Sequence, residues 1–119
     1  MAPPGLEVIV GARNDPSWGP VVLLGLGGIA AEAMNDTSIR LAPVNLNDAL
    51  SMIDDLKANA LFGPYRGAAP RDRDALADII VATSRIMLET AGLQEIELNP
   101  VRVYASGDGV IALDAVALR

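Results

Sequence analysis

The stretch from Gln94 to Leu118 most narrows what this chain can fold into, because two apolar strand-like runs, Ile96 to Ala105 and Gly109 to Val116, meet at Ser106-Gly107. A glycine-containing turn between two such runs folds them into an antiparallel pair. With the turn centred on Ser106-Gly107, the register sets Asn99 opposite Asp114, and directly opposed residues share a sheet face. Asp114 is then an acid inside an apolar strand, on the face of Val110 and Ala112, where a carboxylate without a partner is costly to desolvate. An amide oxygen and one or two carboxylates, with Glu97 two residues before Asn99, form a hard-oxygen set. Mg²⁺ takes such a set and completes its octahedron with water and phosphate oxygens, so the pairing points to nucleotide chemistry. The plainer alternative is that Asn99-Pro100 is a strand-end turn and Asp114 only caps the last strand.

The rest of the chain supplies alternating strands and two helices. From Leu6 to Arg13, Leu6, Val8, Val10 and Ala12 fall on one face and Glu7, Ile9, Gly11 and Arg13 on the other, as in a half-buried strand. Asn14-Asp15-Pro16-Ser17 is a turn, and Val21 to Leu26 after Gly19-Pro20 completes a hairpin. Ile39 to Ala42 reads as a further short strand closed by Pro43. Asn45, with Asp48 three residues on, opens a helix of about three turns carrying Leu46, Ala49, Leu50, Ile53 and Leu56. A second helix begins near Asp72, carries Leu76, Ile79, Ile80, Thr83, Met87 and Thr90 along one side, and stops at Gly92. Strands, two helices, then strands suit an α+β layer, a largely antiparallel sheet with two main helices on one side.

At 119 residues, with no internal repeat or low-complexity tract, the expectation is a single domain over 1–119. Half the residues are hydrophobic, yet only Trp18, Phe62, Tyr65 and Tyr104 are aromatic, so the core is expected to rest on Ala, Val, Leu and Ile. Cysteine and histidine are absent, which excludes disulfides, thiolate or imidazole zinc sites, Ser-His triads and any phosphohistidine within this chain. A net charge of −6 with one lysine, Lys57, argues against nucleic acid, whose binding rests on neutralised phosphates. No apolar stretch approaches bilayer length, and Met1-Ala2-Pro3-Pro4 lacks the features of a signal peptide, so a soluble cytoplasmic protein without a membrane partner is expected. A strand that begins after four residues reads as a domain cut from something longer.

Three smaller groups carry chemistry or its imitation. Gly25-Leu26-Gly27-Gly28 invites a phosphate contact because glycines let backbone N–H groups approach an anion, but it matches neither the Walker pattern nor the dinucleotide fingerprint, and a sheet-to-loop turn explains it equally well. Glu32, Asp36 and Arg40, at four-residue intervals, could line a pocket or form solvated ion pairs. Arg66, in a Gly/Pro loop from Gly63 to Pro70, suits bidentate recognition of phosphate or carboxylate, or is simply a surface arginine.

In succession, Gly5-Leu6-Glu7-Val8-Ile9-Val10-Gly11, Asp15-Pro16-Ser17-Trp18-Gly19-Pro20, Gly25-Leu26-Gly27-Gly28 with Glu32, Asp36 to Pro43, Arg66-Gly67, and Glu97-Leu98-Asn99-Pro100 with Asp114 cover nearly the whole chain. This order resembles the ATP-grasp module of ADP-forming acyl-CoA synthetases, including acetate–CoA ligases, with succinyl-CoA synthetase β subunits more distant. Trp18 stands where the family commonly has Phe. The resemblance implies the carboxy-terminal lobe of a two-lobed Mg-ATP clamp. Asn99 and Asp114 would be its metal ligands and Glu97 a supporting ligand or acceptor for metal-bound water. Glu7, Arg40, Arg66, Gly27 and Gly28 would line the nucleotide or phosphate side. It implies a ligase joining a carboxylic acid to CoA while ATP becomes ADP and phosphate, through acyl-phosphate and phosphohistidine intermediates. The amino-terminal lobe and the CoA-binding domain with its histidine are missing, so the chain alone is expected to be inactive, and no catalytic residue is assigned. An isolated lobe would expose apolar surface, and forming a homo-oligomer is one way to hide it. The competing class is a non-catalytic ATP-grasp-like domain for assembly or regulation, including a module fused to a protein acetyltransferase.

Overall fold

A computed structural model describes residues 5–27, 36–64 and 69–119. Its elements run β1 (Leu6–Asp15), β2 (Gly19–Leu26), β3 (Thr37–Leu41), α1 (Leu46–Asp54), a 3₁₀ turn (Asn59–Phe62), α2 (Arg73–Glu89), β4 (Glu95–Val103), β5 (Val110–Ala112) and β6 (Ala115–Leu118). Among the described residues the strands form one antiparallel sheet in the order β3-β2-β1-β4-β5, with β6 also on β4. Both helices cover one face of it, as the strand–helix–strand order predicts.

The alternation read in β1 holds. Val8, Val10 and Ala12 are buried with Val22 and Leu24 of β2 and Val101 and Val103 of β4, against Met52 and Ile53 of α1 and Leu76 and Ile80 of α2. Phe62, from the 3₁₀ turn, joins this core with Met52 and Met87, so the interior is not built from aliphatics alone. The β1–β2 turn is tied by Asp15, whose Oδ1 accepts the Ser17 and Trp18 amides at 2.8 and 3.0 Å. Trp18 projects from the turn, 71% exposed.

Both helix starts follow their caps. At α1, Asn45 Oδ1 accepts the Asp48 amide at 2.8 Å and Asp48 Oδ2 accepts the Asn45 amide at 3.0 Å, a reciprocal capping box. The helix is nine residues long, and its buried side is Ala49, Met52 and Ile53. Leu46, expected on that side, is exposed because it precedes the first turn that reaches the sheet. In α2 the inward stripe is Leu76, Ala77, Ile80, Thr83, Ser84 and Met87, and the helix ends at Glu89, before Gly92. Asp72 caps α2 and also accepts the Gly107 and Gly109 amides, so one carboxylate ties the helix start to the turn after β4. These amides, Ala75 first, hold its carboxyl below the usual carboxylate range against a smaller opposing effect of burial.

The terminal strands pair in the expected register. Leu98 faces Ala115, Val101 faces Ala112, and between them the Asn99 amide donates to the Asp114 carbonyl at 3.1 Å and the Leu113 amide to the Pro100 carbonyl at 2.9 Å. Two features differ from two plain strands. Leu113 and Asp114 interrupt the second strand, dividing β5 from β6. On the other side of β4, Val8 pairs with Val101 but Val10 with Leu98, so Asn99 and Pro100 together oppose the single residue Ile9. This β-bulge inserts one residue into β4 and reverses which side its later residues face.

Candidate functional site on the bare sheet face

The helix-free face carries the residues that alternate with the core: Glu7, Ile9 and Arg13 on β1, Leu23 on β2, and Glu95 and Glu97 on β4. A cavity of about 290 Å³ opens on it, lined by Ile9, Gly11, Arg13, Leu23, Gly25, Thr37, Glu95 and Glu97 among others. Its floor is apolar and its rim is charged. Glu97 is half-buried in this cavity, opposite Gly11 of β1 and Val116 of β6. Asn99 and Asp114 follow two residues along, outside the cavity lining and exposed to solvent. The cost of desolvating Asp114, expected from its place in an apolar strand, therefore does not arise. It lies in the break between β5 and β6, and its Oδ1 accepts the Ala115 amide at 2.9 Å.

Among the described residues no three His, Cys, Asp or Glu side chains gather into a metal-holding group. The candidate set is two carboxylates and an amide. That set fits an ion that takes few protein ligands and fills its remaining positions with water and phosphate oxygens, which is the habit of Mg²⁺ rather than of zinc. Among the described residues the Asn99 and Asp114 side chains have no partner from another element, and their strands are locked to each other through the Asn99 amide and the Asp114 carbonyl.

Glu7 lies at the end of this face, paired with Arg102 at 3.0 Å. Glu7 first, and Tyr104 beside it, raise the Arg102 pKa above its ordinary value. Gly27 packs on the Glu7 backbone and donates its amide to the Glu7 carbonyl at 2.8 Å. A Cβ at Gly27 would stand 2.9 Å from that same oxygen, so the close approach requires glycine. Gly27 and Glu7 are thus neighbours on the bare face. Gly28, Glu32 and Arg66 lie outside the described residues.

Arg40 and Asp36 are placed elsewhere. Arg40 faces Val22, on the helix side, and its guanidinium bonds Asp55, the Ser51 hydroxyl and the Ile39 carbonyl. It is separated by the sheet from Glu7 and Glu97, because a residue opposite a core valine points to the core face. Asp36 is 1% exposed and accepts the Lys57 and Ala58 amides at 2.6 and 2.9 Å, closing the turn after α1. It lines no pocket. Sequence reasoning passed over Arg102. Simple alternation from Glu97 assigns it to the core face, and only the bulge, which the Asn-Pro pair signals weakly, turns it to the other.

These features define a class: an α+β domain that, among the described residues, covers one sheet face with helices and leaves the other bare, with carboxylates and an amide on it. A family model for the ATP-grasp domain matches residues 1–117. The chain belongs to the ATP-grasp domain family. It is 46% identical over 97% of its length to the acetate–CoA ligase (ADP-forming) I subunit β of Pyrococcus furiosus, matching 49% of that protein. It is 38% identical over 93% of its length to acetate–CoA ligase (ADP-forming) I of Archaeoglobus fulgidus, matching 16% of it. Among solved structures, the Ca. Korarchaeum cryptofilum dinucleotide-forming acetyl-coenzyme A synthetase 1, in complex with coenzyme A and Mg-AMPPCP, superposes with a TM-score of 0.90. That chain is 41% identical, and the match covers 99% of this chain and 55% of that one. The chain thus spans about half the length of the first of these relatives and less of the second. The resemblance read from the order of the motifs and the α+β architecture are both borne out.

Proposed function

We propose that this chain is the carboxy-terminal, metal-holding lobe of the ATP-grasp module of an ADP-forming acyl-CoA synthetase, which converts a carboxylic acid, CoA and ATP to acyl-CoA, ADP and phosphate. The observation that carries the reading is the Asn99–Asp114 opposition, at a bulge beside Glu97 on the bare face, in a chain whose relatives are ADP-forming CoA ligases.

In this reading the Asn99 amide oxygen and the Asp114 carboxylate hold Mg²⁺, with Glu97 as a further ligand or as acceptor for metal-bound water. Mg²⁺ supplies neutralisation of phosphate charge and orientation of the phosphoryl group. Glu97 also carries the fixed negative charge nearest the metal pair along β4. Gly27 brings the start of the glycine-rich segment against Glu7, and Gly28 and Arg66 belong to the same nucleotide side by resemblance. Arg40 is left out, since it faces the helices. The apolar cavity floor is suited to a flat base or another weakly polar group.

The chain is one part of the catalyst. It has no histidine, so a phosphohistidine must come from elsewhere in the enzyme. The Korarchaeum structure is described with a phosphohistidine segment pointing towards its nucleotide-binding site. The amino-terminal lobe and the CoA-binding domain are supplied either by a partner subunit or by the same polypeptide, since the relatives include both a β subunit matched over 49% of its length and a protein matched over 16%. No helix among the described residues is long and apolar enough to cross a membrane, and a cytoplasmic setting goes with this reading.

The test is calorimetric titration with ADP and ATP, with and without Mg²⁺, on the protein and on Asp114→Asn. Mg-dependent binding that falls at least tenfold in the variant, with an unchanged circular dichroism spectrum, is expected. Equal affinity in the two proteins would overturn the assignment.

A further inference from the structure

Among the described residues the bare face of β1 and β4 carries two cations, Arg13 and Arg102, against the carboxylates of Glu7, Glu95 and Glu97. A polyphosphate approaching this face meets a net charge of −1 from these five side chains, and its own charge adds more negative charge than a single divalent ion neutralises. Arg102 lies at the end where Gly27 packs on Glu7, about 7 Å along the strand from Asn99, the two steps from Ile9 to Glu7 on the neighbouring strand at ~3.3 Å per residue. The bulge at Asn99-Pro100 is what turns it there: Val101 and Val103 on either side are fully buried, so Arg102 points away from the core, toward the face of Glu97.

We propose that Arg102 is a phosphate-binding and specificity-determining residue of the nucleotide site, selecting nucleoside di- and triphosphates over the nucleoside. The inference rests on the Mg-nucleotide reading above. Glu7 Oε2 engages one guanidinium nitrogen, Nη2, and the fork retains further N–H donors for a phosphate oxygen. The side chain is 37% exposed, so these donors reach solvent. The placement is built into the backbone on both sides. A Cβ at Gly5 would fall 2.2 Å from Arg102 Cγ, so Gly5 clears the path of the arginine stem, and Gly27 seats Glu7 by its close approach. Glu7 therefore acts as a positioning residue that aims the guanidinium, while Arg102 meets the phosphate.

The experiment compares Mg-ADP and adenosine affinities in the protein, Arg102→Met and Arg102→Lys, with Asn99→Ala as the metal-site reference. Loss of a charge-assisted contact is expected to weaken Mg-ADP about tenfold to hundredfold in Arg102→Met while adenosine changes less than about threefold. Arg102→Lys should recover part of the loss, because it restores the charge without the fork. Mg-ADP affinity unchanged in Arg102→Met but lost in Asn99→Ala overturns the Arg102 role and leaves the metal site standing. Equal weakening of ADP and adenosine reduces Arg102 to a structural ion pair and also overturns it. Absence of Mg-ADP binding in the unsubstituted protein overturns the nucleotide reading itself.

Discussion

Replacing Asp72 by Ala should remove a polar tie of three amides between the helical layer and the end of the sheet. Its carboxylate caps α2 through the Ala75 amide at 3.1 Å and also accepts the Gly109 and Gly107 amides at 2.9 and 3.1 Å. Loss of an N-cap costs about 1 kcal/mol. The Gly109 amide is half-buried and the exposed Gly107 amide is more readily rehydrated, so together they add about 1–1.5 kcal/mol. The total of about 2–2.5 kcal/mol corresponds to a fall in Tm of roughly 8–12 °C for a domain of this size. Because the folded-state pKa of Asp72 is lowered, its contribution is fully present above the unfolded carboxylate pKa of about 3.9 and is lost as pH falls through the lower folded value. Urea unfolding followed by circular dichroism at pH 7, 5 and 3 reads both effects. The gap between the protein and Asp72→Ala should be largest at pH 7, nearly the same at pH 5 and smaller at pH 3, with an unchanged m value. A loss below about 0.5 kcal/mol, or a gap that does not narrow at pH 3, would refute the reasoning.

Other consequences are equally measurable. Asp36→Ala leaves the Lys57 and Ala58 amides without their buried acceptor and should cost about 2–4 kcal/mol in chemical denaturation. Phe62→Ala empties the one fully buried aromatic position among the described residues and should cost about 3–5 kcal/mol in the same assay, more than Leu46→Ala, whose side chain is exposed. Gly27→Ala forces a Cβ to 2.9 Å from the Glu7 carbonyl and should weaken Mg-nucleotide binding, read by calorimetry, more than it lowers Tm.

What could be read in the sequence was whatever depends on short-range pattern. The β1 alternation, the helix start at Asn45 with Asp48 three residues on, the helix start near Asp72 and the turn at Ser106-Gly107 each involve residues within a few positions of one another, and each is found as read. The Asn99–Asp114 opposition followed because a hairpin register is fixed by its turn. The failures involve the third dimension. Arg40 reads as a pocket residue or as half of a solvated ion pair, and which of the two it is depends on whether it faces the helices or the bare side, set by its pairing with Val22, which the sequence of β3 does not state. Asp36 reads as a pocket acid or part of a solvated ion pair, and is instead a buried acceptor because the chain returns after α1 to place two amides against it. Arg102 was hidden by one inserted residue, since a period-two argument carried through Asn99-Pro100 gives the wrong face for everything after it. Asp114, read as a strand residue in need of a partner, sits exposed in a break that mirrors the bulge across the ladder.

The central claim is that Asn99 and Asp114, with Glu97, hold a divalent ion at the nucleotide's phosphates. Substituting Mn²⁺ for Mg²⁺ in an ADP complex and recording the broadening of assigned amide signals tests it directly. The account predicts broadening centred on Glu97, Asn99 and Asp114 that requires ADP and is reversed by excess Mg²⁺, with Ala49, Met52 and Ile80 on the helical side unaffected. Broadening centred instead on the acidic end of α1 at Asp54 and Asp55, or spread evenly over the surface, would contradict it.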